Sequence, residues 1–302
     1  MISMAEMLES LKDFSHLVKQ HPCFSGEAHF KFGRIHLPVS PDCNIQCRFC
    51  KRGFNKFENR PGVSRGLLGP EAACDMVGKA LEKCPEITVA GIAGPGDTLA
   101  TDHALETFEL IHQRYPALIN CLSTNGLFLE EKAERVIAAG VKTVTVTVNA
   151  VDDNVLQQIC SHTIYHGQLI TGPLAARFLI AAQIAGIRKI VSLGAVVKIN
   201  TVLIPGINDH HIGHIAELVS DLGASIFNII PLIPQHELKD FPVPDCAQLN
   251  TARQAAEKYL MVFRHCQHCR ADAVGIPGRL GEQGKDFAEE LYGQDLSTFS
   301  HG

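Results

Sequence analysis

Apolar, β-branched runs recur along the chain at Arg34 to Val39, Ile87 to Ile92, Ile119 to Leu122, Thr143 to Val148, Ala195 to Leu203 and Ser225 to Ile230. Such runs predict strands, and Val144-Thr-Val-Thr-Val148 alternates with the period of a pleated one. Between most of them lie Pro70 to Lys83, His103 to Gln113, Leu129 to Ala139, Ala175 to Ala185 and His211 to Leu222, where apolar residues return at helical spacing. Alternating strands and helices predict an α/β fold with a parallel sheet whose carboxyl-terminal strand ends feed ligand-binding loops. A closed eight-fold barrel takes about 250 residues. Six strand candidates between Arg34 and Ile230 predict an incomplete TIM-type (β/α)6 barrel instead, with a doubly wound open sheet as the alternative. No Gly/Ser linker, low-complexity tract or repeat divides the chain, so one domain is expected over 1–302, with an N-terminal arm at 1–33, the barrel at about 34–235 and a C-terminal tail at about 236–302. Gly53 to Gly69 reads as a long polar loop.

A chain of 302 residues that is 46% hydrophobic can bury a substantial core, which excludes a disordered chain. With 27 Lys+Arg against 32 Asp+Glu, the formal charge of −5 offers no global basic field for nucleic acid. Met1 to Gln20 mixes Glu6, Glu9, Lys12, Asp13 and Lys19 with apolar residues, unlike a signal peptide or a membrane span, so a cytoplasmic location is expected.

Eleven cysteines change this picture. The number is odd, and without an export signal structural disulfides explain it poorly. Lone residues such as Cys74, Cys84, Cys160 and Cys246 can serve as buried small hydrophobes, but Cys43, Cys47 and Cys50, and then Cys266 and Cys269, form close groups better explained by metal. In Pro41-Asp-Cys43-Asn-Ile-Gln-Cys47-Arg-Phe-Cys50 the spacing C-x-x-x-C-x-x-C lets a short loop wrap three thiolates around one cubane and leave its fourth iron without a protein ligand. A zinc loop is the alternative, although structural zinc usually takes four ligands from paired knuckles.

This segment resembles the signature of the radical S-adenosylmethionine (SAM) superfamily, including the aromatic Phe49 before the last thiol. The resemblance implies that Cys43, Cys47 and Cys50 hold a catalytic [4Fe-4S] cluster whose open iron binds SAM and whose electron cleaves it to a 5′-deoxyadenosyl radical. Gly91-Ile-Ala-Gly94-Pro-Gly96-Asp97 follows a strand candidate, and its glycines permit close backbone approach. With Ser123-Thr-Asn125-Gly126 and the alternating Thr145, Thr147 and Asn149, it supplies hydrogen-bonding groups where the superfamily cradles SAM. The SAM-contacting residues implied are Gly94, Gly96, Asn125, Thr145, Asn149 and, on the next strand, Val197.

Arg264-His-Cys266-Gln-His-Cys269-Arg270 places two thiols and two histidines together, with Arg264 and Arg270 able to offset thiolate charge. A redox dithiol is the other reading of C-x-x-C, but no thioredoxin-like context surrounds it. His21-Pro-Cys23 and Cys121 add further possible ligands, more than one SAM cluster can use. A closer resemblance, to the NifB family, rests on His21-Pro-Cys-Phe-Ser with Ala28-His29, His36-Leu-Pro-Val, Cys43-Asn-Ile-Gln-Cys47, Arg60-Pro-Gly-Val63, Gly91 to Asp97, Ser123 to Gly126, Ile204-Pro-Gly-Ile-Asn208, Asn228 to Leu232 and Arg264 to Gly275. Members make the carbide-containing precursor of the nitrogenase iron-molybdenum cofactor. One SAM methylates a cluster sulfide, another yields the radical that abstracts hydrogen, and two cubanes fuse around the carbon. The resemblance implies a lyase-type maturase of nitrogen fixation in which His21, Cys23 and Cys121 hold one substrate [4Fe-4S] unit and Cys266 with Cys269 a second. It also implies cluster donors, an electron donor such as ferredoxin or flavodoxin, and a downstream cofactor carrier or scaffold. The chain ends soon after Gly275 and so resembles a short member without the fused carrier domain.

One departure concerns the loop after the signature. Family members usually carry a further cysteine there, which helps hold the second substrate unit. Lys51-Arg-Gly-Phe-Asn-Lys-Phe-Glu58-Asn-Arg60 has no thiol, leaving Glu58, His265 or His268 as substitutes, since protonated Lys56 cannot ligate. His210, His211 and His214 read as solvated or helix-start residues, Asp209 as a cap, and Glu58, Arg60 and Asp97 either as SAM-orienting groups or as ion pairs. Three other readings stay open: a radical SAM enzyme acting on a small molecule or peptide with an auxiliary cluster, a NifB-family paralogue with altered cluster handling, and a non-catalytic cluster carrier.

Overall fold

The β-branched runs become strands of one sheet because both of their faces are enclosed, the condition that parallel strands require. In the computed structural model, which describes residues 15–277 and Leu291, these are β1 (Gly33–His36), β2 (Ile87–Ile92), β3 (Ile119–Thr124), β4 (Val141–Thr147), β5 (Val196–Leu203), β6 (Ile226–Pro231) and β7 (Met261–Phe263). They lie side by side in chain order, all parallel. A last strand, β8 (Val274–Gly275), pairs antiparallel with β1. Since β7 and β8 end the sheet without pairing to each other, it curls into an incomplete barrel.

The helices between the strands are α1 (Pro70–Lys83), α2 (His103–Arg114), α3 (Leu129–Ala138), α4 (Gly172–Ser192), α5 (Ile212–Asp221) and α6 (Cys246–Ala256). Pro70 starts α1, where its missing N–H costs nothing. Asp245 and Gln248 start α6 by bonding each other's backbone N–H, a reciprocal cap. Both α6 and β7 fall in the segment expected to be tail. Three residues are too few for β7 to show a period in the sequence.

Ile35, Ala90, Ile92, Leu122, Val144, Val146, Val197, Ile199, Phe227 and Ile229 face the helices and form the main core. The alternate positions face the interior of the curl. Leu17, Phe24, Val89, Ile119, Val196, Ile226 and Phe263 close its amino-terminal end as an apolar floor. Helical residues 15–20 of the N-terminal arm carry Leu17; residues 1–14 of the arm and 278–290 and 292–302 of the tail lie outside the described residues. Among the described residues no helix is long and apolar enough to cross a membrane.

Local details add to or correct the expectations. The polar loop after residue 52 contains a small parallel pair, Gly53–Phe54 with Val63–Ser64. A hairpin, Cys160–Tyr165 with Gln168–Thr171, interrupts the connection from β4 to β5 and pairs with Ile45–Cys47 of the cysteine loop. After β5, Asn208 rather than Asp209 fastens the turn: its buried side chain accepts from Ile204 N–H and donates to the carbonyls of Asn149 and Val202. His211 stands at the start of α5, as one of its two expected readings had it, and is buried; its Nε2 accepts from Val151 N–H.

Candidate functional site

Strand register stacks polar side chains inside the curl. His36 lies beside Gly91, which lies beside Cys121; Ser123, Thr145 and Lys198 form another row, and Thr147, Asn200 and Asn228 a third. An interior meant only as core would hold Val, Ile and Leu here. These rows instead line a cavity of about 360 Å³ that also receives Cys43, Cys47, Cys50, Cys266 and Cys269. Gly96, Asn125, Thr145 and Asn149 lie on its wall, whereas Gly94 stands between the wall residues Ala93 and Pro95. Val197 is out of phase: its side chain is fully buried in the main core, and Lys198 and Asn200 occupy the inward positions of β5.

The cysteine loop is fixed largely by bonds to its own carbonyls. Gln46 Nε2 donates to the carbonyls of Cys47 and Cys50, Cys50 N–H returns to Cys47 O, and Arg52 donates to Pro41 O. On one side Cys47 pairs with Cys160 of the hairpin. On the other, Gly96 N–H donates to Ser40 O and Asp97 N–H to Asp42 O. A Cβ on Gly96 would stand 2.0 Å from Asp42 O, so this glycine is required by the cysteine loop itself. Burial pushes the Cys43 thiol up to about 12 and raises those of Cys47 and Cys50. Buried thiols in this state become thiolates only against added positive charge, which the irons of a cluster supply. All three line the wall of the same cavity. The donor set therefore fits a cubane, whose corners take separate ligands.

Asp97, itself on the cavity lining, organises the neighbouring wall. Its buried carboxylate accepts from Leu99 N–H, Thr124 Oγ1 and Asn125 N–H. Asn125 then donates to Asn44 Oδ1 at 2.6 Å, beside Cys43 Sγ, and accepts from Leu127 N–H. Asn149 Oδ1 accepts from Val202 N–H, so part of its amide joins β4 to β5. Gln183 of α4, absent from the sequence expectations, donates to the carbonyls of Asn125 and Thr147 at 2.7 and 2.9 Å.

At the other, deep end of the cavity lie His21, Cys23, His29, Arg34, His36, Cys121, Lys198, Cys266 and Cys269, with the half-buried His268 and the exposed His265 also on the lining. Arg34 is fully buried and donates to Cys269 Sγ at 3.1 Å and to Gly275 O. Lys198 donates to Cys23 O at 3.3 Å, with its Nζ over the rings of Phe24 and Phe263. These two, not Arg264 and Arg270, are the cations among the deep thiols. Arg264 pairs at the surface with Glu257, and Arg270 is held by Asp272 and by the carbonyls of Glu58 and Asn55. The signal for Lys198 was in the sequence: it shares the inward phase of a strand with Asn200. Burial pushes the Cys23 thiol up to about 12 against the opposing pull of Lys198, and it lowers His36 to about 4.

Glu58 does not line this cavity; Asn55 and Arg60 hold its carboxylate. Cys160, read as a lone buried thiol, is buried and does line it. His21 Nδ1 accepts from Cys23 N–H, which leaves the proton on Nε2.

The pattern that defines the Radical SAM superfamily matches residues 37–219. The FeMo cofactor biosynthesis protein NifB of Methanocaldococcus infernus is 44% identical over 303 residues, covering 97% of this chain and all of that protein. NifB of Methanocaldococcus jannaschii is also 44% identical, covering 96% and 98%. NifB of Klebsiella pneumoniae is 43% identical over 85% of this chain, which spans 57% of that longer protein. Among solved structures, a radical SAM methyltransferase from Sphaerobacter thermophilus superposes with a TM-score of 0.56 at 20% identity, covering 76% of this chain and 64% of that one. SuiB from Streptococcus suis bound to S-adenosylmethionine superposes at 0.57 and 13%, covering 87% and 56%. These two share the fold.

Proposed function

The chain belongs to the radical SAM superfamily and, within it, to the NifB family, and from that membership we propose that it inserts a SAM-derived carbon and fuses two [4Fe-4S] units into the nitrogenase cofactor precursor. It is a radical SAM enzyme of FeMo cofactor biosynthesis that uses a [4Fe-4S] cluster and SAM, and its relatives carry additional clusters. The finer reading rests on one observation: three sets of thiols, Cys43 with Cys47 and Cys50, Cys23 with Cys121, and Cys266 with Cys269, line one cavity.

In this reading Cys43, Cys47 and Cys50 hold the resident cluster. When bound, that cluster supplies the electron that cleaves SAM to a 5′-deoxyadenosyl radical. Gly96, Asn125, Thr145 and Asn149 flank the nucleotide, and Asp97 and Gln183 keep Asn125 in place. Cys23 and Cys121 hold one substrate unit, joined by His21 once its ring gives up the bond from Cys23 N–H and takes the tautomer protonated at Nδ1. Cys266 and Cys269 hold the other. Substrate clusters bound through thiolates carry negative charge, and Arg34 and Lys198 offset it in a site where water cannot. Reduction by a ferredoxin- or flavodoxin-type donor, delivery of cubanes by cluster donors, release to a cofactor carrier and a lyase-type outcome complete the proposal.

The test is anaerobic reconstitution followed by reduction with SAM. S-adenosylhomocysteine and 5′-deoxyadenosine together are expected, from methyl transfer followed by hydrogen abstraction. 5′-Deoxyadenosine alone would overturn carbon insertion in favour of a radical enzyme with an auxiliary cluster.

A further inference from the structure

The unit assigned to Cys266 and Cys269 has only two thiols on this chain, and a cubane held by two ligands has two bare corners. Glu58, the nearest carboxylate in the thiol-free loop, is engaged by Asn55 and Arg60 outside the cavity. Of the two histidines on the thiol segment, His265 is exposed and His268 only half-buried, so the ligand sought is a fully buried one on a neighbouring element that presents a bare lone pair to the cavity.

His29 meets each condition. It ends the short helix Gly26–His29, is 2% exposed, and lines the cavity. Its Nδ1 lies 2.9 Å from Pro22 O. A carbonyl only accepts, so Nδ1 carries the proton and Nε2 carries the lone pair. That Nε2 is fully buried and has no hydrogen-bond partner. A buried, unpartnered imidazole nitrogen calls for an explanation. Metal-ligating histidines characteristically donate their other ring N–H to a backbone carbonyl, which fixes this tautomer. His21 has the opposite arrangement, since Cys23 N–H occupies its Nδ1. The ring of His29 lies 5.6 Å from that of His265 and 5.9 Å from that of Phe263, next to the Cys266 segment. Imidazole can replace thiolate on an iron–sulfur cluster, as Rieske centres do, and it leaves the unit less negatively charged.

We propose that His29 Nε2 is a ligand of the substrate cluster held by Cys266 and Cys269. The proposal rests on the two-unit function above and goes beyond it by naming the residue that takes the place of the absent loop thiol. An imidazole ligand also suits a unit that must leave after fusion, because it departs as a neutral group.

The test uses the full chain with Cys43, Cys47, Cys50, Cys23 and Cys121 all replaced by Ala, so that only this unit can load. Reconstituted with iron and sulfide, this background is expected to bind about four irons per chain. When reduced, it should show nitrogen hyperfine coupling by pulsed EPR that shifts on labelling with ¹⁵N-histidine. His29→Ala should lose the coupling and at least half of the iron. His29→Cys should keep the iron without the coupling, which separates ligation from folding. Coupling that survives His29→Ala assigns the nitrogen to His265, His268 or His21 and overturns the proposal. Four irons with no coupling overturns it while leaving the second unit intact. A background that binds no iron removes the second unit itself, and with it both the proposal and the two-unit reading.

Discussion

The cysteine loop and the deep end of the same cavity are built in opposite ways. In the loop, three thiols within eight residues are held by neighbouring carbonyls and amides, by the hairpin, and by a glycine contact that admits no Cβ. At the deep end the groups come from the N-terminal arm, from β1, β3 and β5, and from the segment after β7, so their placement rests on contacts between distant parts of the chain. The difference matches what each region is proposed to hold. A resident cofactor favours ligands pre-positioned by local bonds, whereas transient cargo favours few ligands gathered from separate elements.

The sharpest contrast is between two cysteines. Cys47→Ala should abolish both S-adenosylhomocysteine and 5′-deoxyadenosine and remove about four irons of about twelve in the loaded chain. Cys266→Ala should remove a similar amount of iron yet leave part of the SAM cleavage. Equal loss of cleavage in the two variants would break the division between regions.

Gly96→Ala comes next. A methyl group 2.0 Å from Asp42 O must displace the cysteine loop, so SAM cleavage should fall at least 100-fold, an effect of about 3 kcal/mol. The same substitution should leave iron bound at Cys266 and Cys269. Iron counting and product assay separate the two effects.

Asp272 connects the regions. Its buried carboxylate pairs with Arg65 and Arg270, and Arg270 in turn holds the thiol-free loop through Asn55 O and Glu58 O. Removing the charge in Asp272→Asn leaves two largely buried guanidiniums unpaired, and urea unfolding should register a loss of about 3–5 kcal/mol. Burial alone would raise this carboxyl, but its bonds to Arg270 and Arg65 outweigh that and hold it below the ordinary carboxylate range. Its contribution is therefore present above the unfolded carboxylate pKa and lost as pH falls through the lower folded value. Wild type should lose this increment in acid, and Asp272→Asn should not.

The smallest expected change in stability is at the deep end. Lys198→Met removes a buried cation that rests on two aromatic rings, and stability should shift by no more than about 1 kcal/mol, since apolar replacement of a buried charge is often neutral. Iron loading should nevertheless fall, because thiolates around Cys23 lose their counter-charge. Unchanged iron with unchanged stability would mean that Lys198 only packs.

Much of the barrel was legible because strand and helix periods are local. Pro70–Lys83 and Ile87–Ile92 occur where the apolar pattern ends them. The cysteine loop was legible for the same reason, its thiols lying close in sequence. Val197 shows the limit: alternation gives two faces, but which face encloses the site depends on curl and register, and one residue of phase exchanges core for cavity.

Local pattern by itself therefore determined the strand and helix alternation and the cysteine loop, since each is encoded within a few residues through backbone period and thiol spacing. The deep end was decided only by the tertiary structure. Arg34 meets Cys269 across 235 residues of chain, and Lys198 meets Cys23 across 175. Contacts at such separation follow from how the sheet curls and where the arm packs beneath it, and no window of sequence contains both partners.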